Sequence, residues 1–87
     1  MTYKIGTIVK IKSKEWYDDH ANSNGNIIEI DGLYFLREMS AWCGKIVCIT
    51  GFSDFNDYYI DDDREFSWGN YMIECRIFPY EEIKGIL

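Results

Sequence analysis

Residues 43–50 read Cys43-Gly44-Lys45-Ile46-Val47-Cys48-Ile49-Thr50, and this run decides the fold class. Its β-branched residues and two-residue alternation describe a short strand with Val47 and Ile49 facing inward. The same pattern stands 38 positions earlier, in Ile5-Gly6-Thr7-Ile8-Val9-Lys10-Ile11-Lys12. Gly6 and Gly44, Ile8 and Ile46, Val9 and Val47, Ile11 and Ile49, and Asp19 and Asp57 are identical pairs at that offset. One echo does not make a repeat architecture. Two strands entering one small barrel meet the same demands, a glycine kink followed by alternating β-branched residues. In the first of them Ile5, Val9 and Ile11 are expected inside, with Lys10 and Lys12 toward solvent.

Outward from these runs the chain shows more short strands separated by polar turns. Residues 13–26 are rich in turn formers, Asn24-Gly25 above all, and read as a loop. Ile27–Ile30 reads as a strand, Asp31-Gly32 as a hairpin tip, and Leu33–Met39 as the returning strand. Phe35 and Met39, four apart, leave a helical turn open there. Tyr58–Asp61 and Phe66–Trp68 are further strands, with Asp61–Glu65 as the turn between them. Gly69–Met72 reads as a 3₁₀ turn. The tail from Ile73, with Pro79, is expected to be irregular, with a strand or a short helix left open over residues 75–87. The expectation is an all-β domain over 1–87 with five or six short antiparallel strands closed into a small barrel.

Composition agrees. Of 87 residues 47% are hydrophobic and 17% aromatic, and the formal net charge is −6. A domain of this size buries roughly 60–65% of its unfolded surface. Each large ring contributes on the order of 150–250 Å² of burial, so the aromatics are first of all core material. Phe35, Trp42, Val47, Ile49, Tyr59 and Trp68 are the expected barrel filling. The acidity is local: residues 44–87 carry nine acids and four bases, residues 1–43 six acids and five bases. Cys43, Cys48 and Cys75 are an odd number, and the first residues enter a strand pattern without an apolar leader. Reduced thiols in a cytoplasmic protein, with no membrane association, are expected.

Three groups of residues now fall into a recognisable order: Phe35, Met39 and Cys43-Gly44-Lys45-x-Val47-x-Ile49; Tyr58-Tyr59-Ile60-Asp61; and Phe66-Ser67-Trp68-x-x-x-Met72-Ile73-Glu74. Together with the opening Gly6-Thr-Ile-Val-Lys-Ile-Lys-Ser-Lys-Glu-Trp16, they resemble a group of small phage- and prophage-encoded proteins. The resemblance implies an SH3-like barrel and carries no established activity. The chain is not similar to signalling SH3 domains, whose Ala-Leu-Tyr-Asp-Tyr opening and Trp-Trp pair are missing.

The residues offer little for chemistry. His20 is the single histidine, in the expected loop, and a cysteine–histidine couple would require it to meet Cys43, Cys48 or Cys75. Cys43 and Cys48 are five apart on one strand, which points them to opposite faces and spoils them as a zinc pair. Asp61-Asp62-Asp63 lacks the glycine and spacing of a calcium loop and reads as a solvated turn. No enzyme activity, no cofactor and no metal are expected.

Binding is the better expectation. Trp16, Tyr17, Asp18, Asp19, Phe55 and Tyr58 lie in or beside acidic loops, and exposed aromatics of that kind suit a basic protein partner. The protein is expected to be a non-enzymatic interaction module for a host or phage protein, monomeric or weakly self-associating. An acidic inhibitor of a host protein is a variant of this reading. The alternative is a nucleic-acid-binding barrel using Lys10, Lys12 and Lys14, against which the net negative charge works.

Overall fold

The computed structural model describes residues 3–28 and 33–77. Its elements are β1 (Ile8–Ile11), α1 (Lys14–His20), β2 (Ile27–Ile28), β3 (Tyr34–Phe35), a 3₁₀ helix (Arg37–Trp42), β4 (Ile46–Phe52), β5 (Tyr58–Ile60), β6 (Asp63–Trp68), a second 3₁₀ helix (Asn70–Met72) and β7 (Ile73–Ile77). Five strands form one antiparallel sheet in the order β6-β5-β4-β1-β7, and β2 and β3 pair separately. The first strand thus lies between β4 and the last, and the 3₁₀ helix joins β6 to β7. That is the strand order of an SH3-like barrel. Register shifts at Lys10/Ile11, Ile49/Gly51 and Tyr58/Ile60 bend the sheet at three places, and such irregularities increase local twist.

The echo at offset 38 has a geometric cause. β1 and β4 pair with each other, Val9 opposite Val47. The Ile49 N–H donates to the Thr7 carbonyl at 2.9 Å, and the Ile11 N–H to the Lys45 carbonyl at 3.0 Å. These two bonds exchange when each position is moved by the offset, so the two segments are related by a local two-fold axis. Gly6 and Gly44 occupy equivalent places at the strand entrances, with φ of 94° and 78°. A Cβ at either would meet nothing within 4 Å, so the left-handed backbone, not crowding, calls for glycine there.

The core is filled from two sources. Val9, Ile11, Val47, Ile49, Ile60, Trp68 and Met72 come from the barrel, and Tyr17, Ile27, Phe35 and Met39 from the connection between β1 and β4. Rings tie the two together: Phe35 meets Trp68 edge-on at 5.7 Å and Trp16 at 5.4 Å, and meets Tyr17 at 5.7 Å. Each 3₁₀ helix carries a methionine at its third position, whose sulfur accepts the backbone N–H of the residue just before the helix. Leu36 N–H points to Met39 Sδ at 3.2 Å and Gly69 N–H to Met72 Sδ at 3.3 Å. Both methionines are buried, so the soft sulfur serves as a weak acceptor where no water reaches.

Several expectations need correction. Residues 13–26 are not all loop, because Lys14–His20 is helical. The Ser13 hydroxyl caps it by accepting the Trp16 N–H at 3.1 Å, and Lys14 bridges Asp18 at 2.6 Å. The turn formers act only from Asn22, whose side-chain oxygen accepts the N–H groups of Asn24 and Asn26. Ile5 is 61% exposed, because the turn at Gly6 precedes the strand. The strand from Leu33 ends at Phe35 and gives way to the 3₁₀ helix, which places Met39 in the core. Ile27 faces Phe35 and Ile28 faces Tyr34, the pairing of a hairpin, but its expected tip at Asp31-Gly32 lies outside the described residues. The turn after β5 is shorter than Asp61–Glu65. Asp61 and Asp62 alone make it, both with positive φ (50° and 61°), as in the tight hairpin turns that match strand twist. β6 therefore begins at Asp63. The tail is not irregular from Ile73: β7 runs to Ile77 beside β1, and residues beyond it lie outside the described set. The described strands number seven, two of them only two residues long.

Because α1 has only seven residues, it is too short to hold itself, and its cap matters. Ser13→Ala is expected to cost about 1 kcal/mol, read as a lower urea midpoint with an unchanged slope. An unchanged midpoint would show that packing on Phe35 alone holds the helix.

Candidate functional site

The six aromatic and acidic residues singled out from the sequence do not form one surface. Tyr17 and Tyr58 are core residues, 7% and 2% exposed. Tyr17 turns inward from α1, and its hydroxyl donates to the Gly25 carbonyl at 2.5 Å. The Tyr58 hydroxyl accepts the Tyr3 N–H at 2.9 Å and donates to Asn70 Oδ1 at 2.7 Å. It fastens the start of the described chain and the second 3₁₀ helix to β5. Neither ring is offered to a partner. Burial decides this, since each sits where its apolar ring fills the core and its hydroxyl still finds a bond.

Trp16 is half-buried. Its ring meets Phe35, Tyr71 at 6.3 Å and His20 at 5.4 Å. Asp18 and Asp19 are exposed on α1, and Asp18 is bound to Lys14. Of the six, Phe55 stands free of the core at 86% exposure.

The loop that carries Phe55 is internally bonded. Ser53 and Asp57 close it through the Ser53 N–H to the Asp57 carbonyl at 2.7 Å, and the Asn56 N–H reaches the Ser53 carbonyl at 3.0 Å. The Ser53 hydroxyl accepts the N–H groups of Phe55 and Asp57, both at 3.2 Å. Asn56 takes a positive φ of 65°, which asparagine tolerates better than most residues. The loop is thus closed by its own hydrogen bonds, and Phe55 is held outward beside Asp54. Phe52, 38% exposed at the end of β4, packs its ring at 5.8 Å from Tyr58, with Tyr3 on Tyr58 at the same distance. The register irregularity between Ile49 and Gly51 sets Phe52 opposite Tyr58, on the Tyr58 and Ile60 side of the sheet, while the exposed Ile46 stands on the other side. A two-residue period counted from Val47 and Ile49 would set Phe52 on the outer face, and the irregularity returns it to the Tyr58 side.

The lysines of the proposed nucleic-acid patch each have a local partner. Lys10 bridges Glu74 at 3.6 Å, Lys14 bridges Asp18, and Lys12 lies over the Trp16 ring at 6.0 Å. Two of the three positive charges are therefore met by carboxylates before any phosphate arrives.

The reactive groups are similarly engaged. His20 Nδ1 lies 2.8 Å from the Trp16 carbonyl oxygen, a contact within the helix that uses Nδ1–H as donor. Cys43 is half-buried, and loss of solvent pushes its thiol up from the ordinary value, with Lys14 pulling the other way. A raised thiol holds less thiolate at neutral pH and is a poorer nucleophile. Cys48 Sγ lies 3.6 Å from the Ile49 carbonyl, and no disulfide joins Cys43, Cys48 or Cys75. Among the described residues no three His, Cys, Asp or Glu side chains gather as a metal site, and no helix is long and apolar enough to cross a membrane. The acidic turn is part of the sheet: Asp61 Oδ1 accepts the Cys48 N–H at 2.9 Å, and the Asp62 N–H donates to Thr50 Oγ1 at 2.9 Å.

Compared with known family models, curated proteins and solved structures, the chain matches none.

Proposed function

We propose that the protein is a non-enzymatic interaction module that contacts another protein through the Phe55 loop and the neighbouring Phe52. One observation carries the reading: a phenylalanine 86% exposed on a loop whose backbone is bonded within itself. An apolar ring held in water costs free energy, and the loop's own hydrogen bonds remove the ordering cost a flexible loop pays on binding. Asp54, exposed next to Phe55 in the loop, gives this surface a negative charge, so the partner surface that fits is apolar with a basic rim. The likeness to small phage and prophage proteins supports looking for that partner among host or phage proteins of bacteria. An acidic inhibitor of a host protein is the form this contact takes if the partner loses its activity when bound.

The test is affinity capture from bacterial lysate with the wild type and with Phe55→Ala. Phe55→Ala is expected to change folding stability by no more than about 0.5 kcal/mol, as for an exposed site, and to lose a protein that the wild type retains. Equal retention by both, or nothing retained by either, removes the reading.

A further inference from the structure

A second surface lies beside β6. This strand is at the outer edge of the five-stranded sheet, and among the described residues it pairs only with β5. Next to it runs a groove of about 310 Å³, walled by Leu33, Tyr34 and Leu36 on one side and by Glu65 and Phe66 of β6 on the other, with Met39 below. One end is closed. Leu33 packs on Gly69 so tightly that a Cβ there would stand 2.7 Å from Leu33 Cδ2, and the Tyr71 hydroxyl donates to the Leu33 carbonyl at 2.6 Å. Leu33 is thus tied to the chain just after β6, and Phe35 of β3 packs on Trp68 of β6, which leaves the groove beside Glu65 and Phe66.

We propose that this groove receives an extended segment of a partner protein. The segment lies along β6, seats an apolar side chain between Tyr34 and Phe66, and sets a lysine or arginine against Glu65. Three features favour this occupant. An outer strand offers main-chain donors and acceptors to an added strand, the Glu65 N–H excepted, which donates to Asp63 Oδ1 at 2.9 Å. The groove has the volume of a small ligand site, at the low end of about 300–1,000 Å³, which suits one or two side chains better than a folded surface. Glu65 is the charged residue in the lining, and it selects a cation. Tyr34, 45% exposed, offers its ring to the guest from the β3 side. This site is separate from the Phe55 loop and does not depend on it.

The probes are short fluorescein-labelled peptides with a central phenylalanine between valine and threonine, flanked by either lysine or glutamate. Fluorescence anisotropy with the full chain is expected to show binding of the lysine peptide and about fivefold weaker binding of the glutamate peptide. Glu65→Lys should invert that preference, and Tyr34→Ala should weaken both peptides about tenfold. Phe55→Ala should leave both unchanged. Amide shifts on titration should centre on residues 33–36 and 63–67. The proposal is overturned if neither peptide binds, if the shifts fall on residues 53–57 instead, or if Glu65→Lys leaves the preference as it was. It is also overturned if sedimentation shows the groove filled by a second copy, with a dimer that Tyr34→Ala dissolves.

Discussion

Trp68→Ala is expected to cost about 3–5 kcal/mol, the range for deleting a large buried aromatic. Trp68 is fully buried at the end of β6, paired in register with Tyr58. Its ring meets Phe35, Trp42 at 6.0 Å and Phe66 at 6.5 Å. The loss is large because the neighbours are anchored and cannot collapse into the space. Phe35 is fixed by Trp16 and Tyr17, and the main chain on either side of Trp68 is held by β5 and by the second 3₁₀ helix. At about 0.05–0.15 kcal/mol per residue, the whole chain is stable by about 4–13 kcal/mol. One substitution therefore removes between about a quarter of the stability and all of it. At about 4–8 °C per kcal/mol for a domain of this size, the melting midpoint drops by at least about 12 °C. Trp42→Ala, at a half-buried position, is expected to fall short of that. Near-UV circular dichroism on heating measures both, and a midpoint unmoved by Trp68→Ala refutes the packing described.

Phe35→Ala should cost a similar amount, about 3–5 kcal/mol, but its signature differs. Phe35 is where α1, β3 and β6 meet, and it is fully buried. Apart from Phe35, the ring contacts that tie α1 and the first 3₁₀ helix to the barrel are Trp16 on Tyr71 and Trp42 on Trp68. Removing the ring should therefore release this connection before the barrel opens, as local unfolding of the least supported unit. Amide exchange is expected to rise first at Lys14–His20 and Tyr34–Trp42 and later at Ile8–Ile11 and Ile46–Phe52. Because the two rings touch, the double variant with Trp68→Ala should cost less than the sum of the two singles. Full additivity, or exchange rising first in β1 and β4, contradicts the role given to Phe35.

Much of the barrel was legible. The alternation in Thr7–Ile11 and Lys45–Ile49 placed Val9, Ile11, Val47 and Ile49 inside, and the identity of the two runs was ascribed to shared structural demands. The structure sharpens that to strands that pair with each other about a local two-fold axis. The 3₁₀ turn before Met72 and the buried Trp68 and Phe35 were also readable. The candidate site was less so. The sequence set Tyr17 and Tyr58 among exposed loop aromatics, yet both are core. Phe55 alone of that set stands clear in solvent, and the groove beside β6 joins residues 33–39 to residues 65–67, a pairing no local pattern announces.

The division has a physical reason. A strand's two faces are written in neighbouring residues, so β1 and β4 and their inward sides were determined by the sequence alone. So were the glycines at the strand entrances and the place of the acidic turn, though not its length, since Asp63–Glu65 belong to β6. A helix of seven residues is not stable by local propensity, and α1 exists because Trp16 and Tyr17 find Phe35 across the connection. Whether an aromatic ring is core or contact depends on what distant chain arrives beside it. Only the tertiary structure decided that Tyr17 and Tyr58 would be covered, that Phe55 would not, and that β6 would border an open apolar groove.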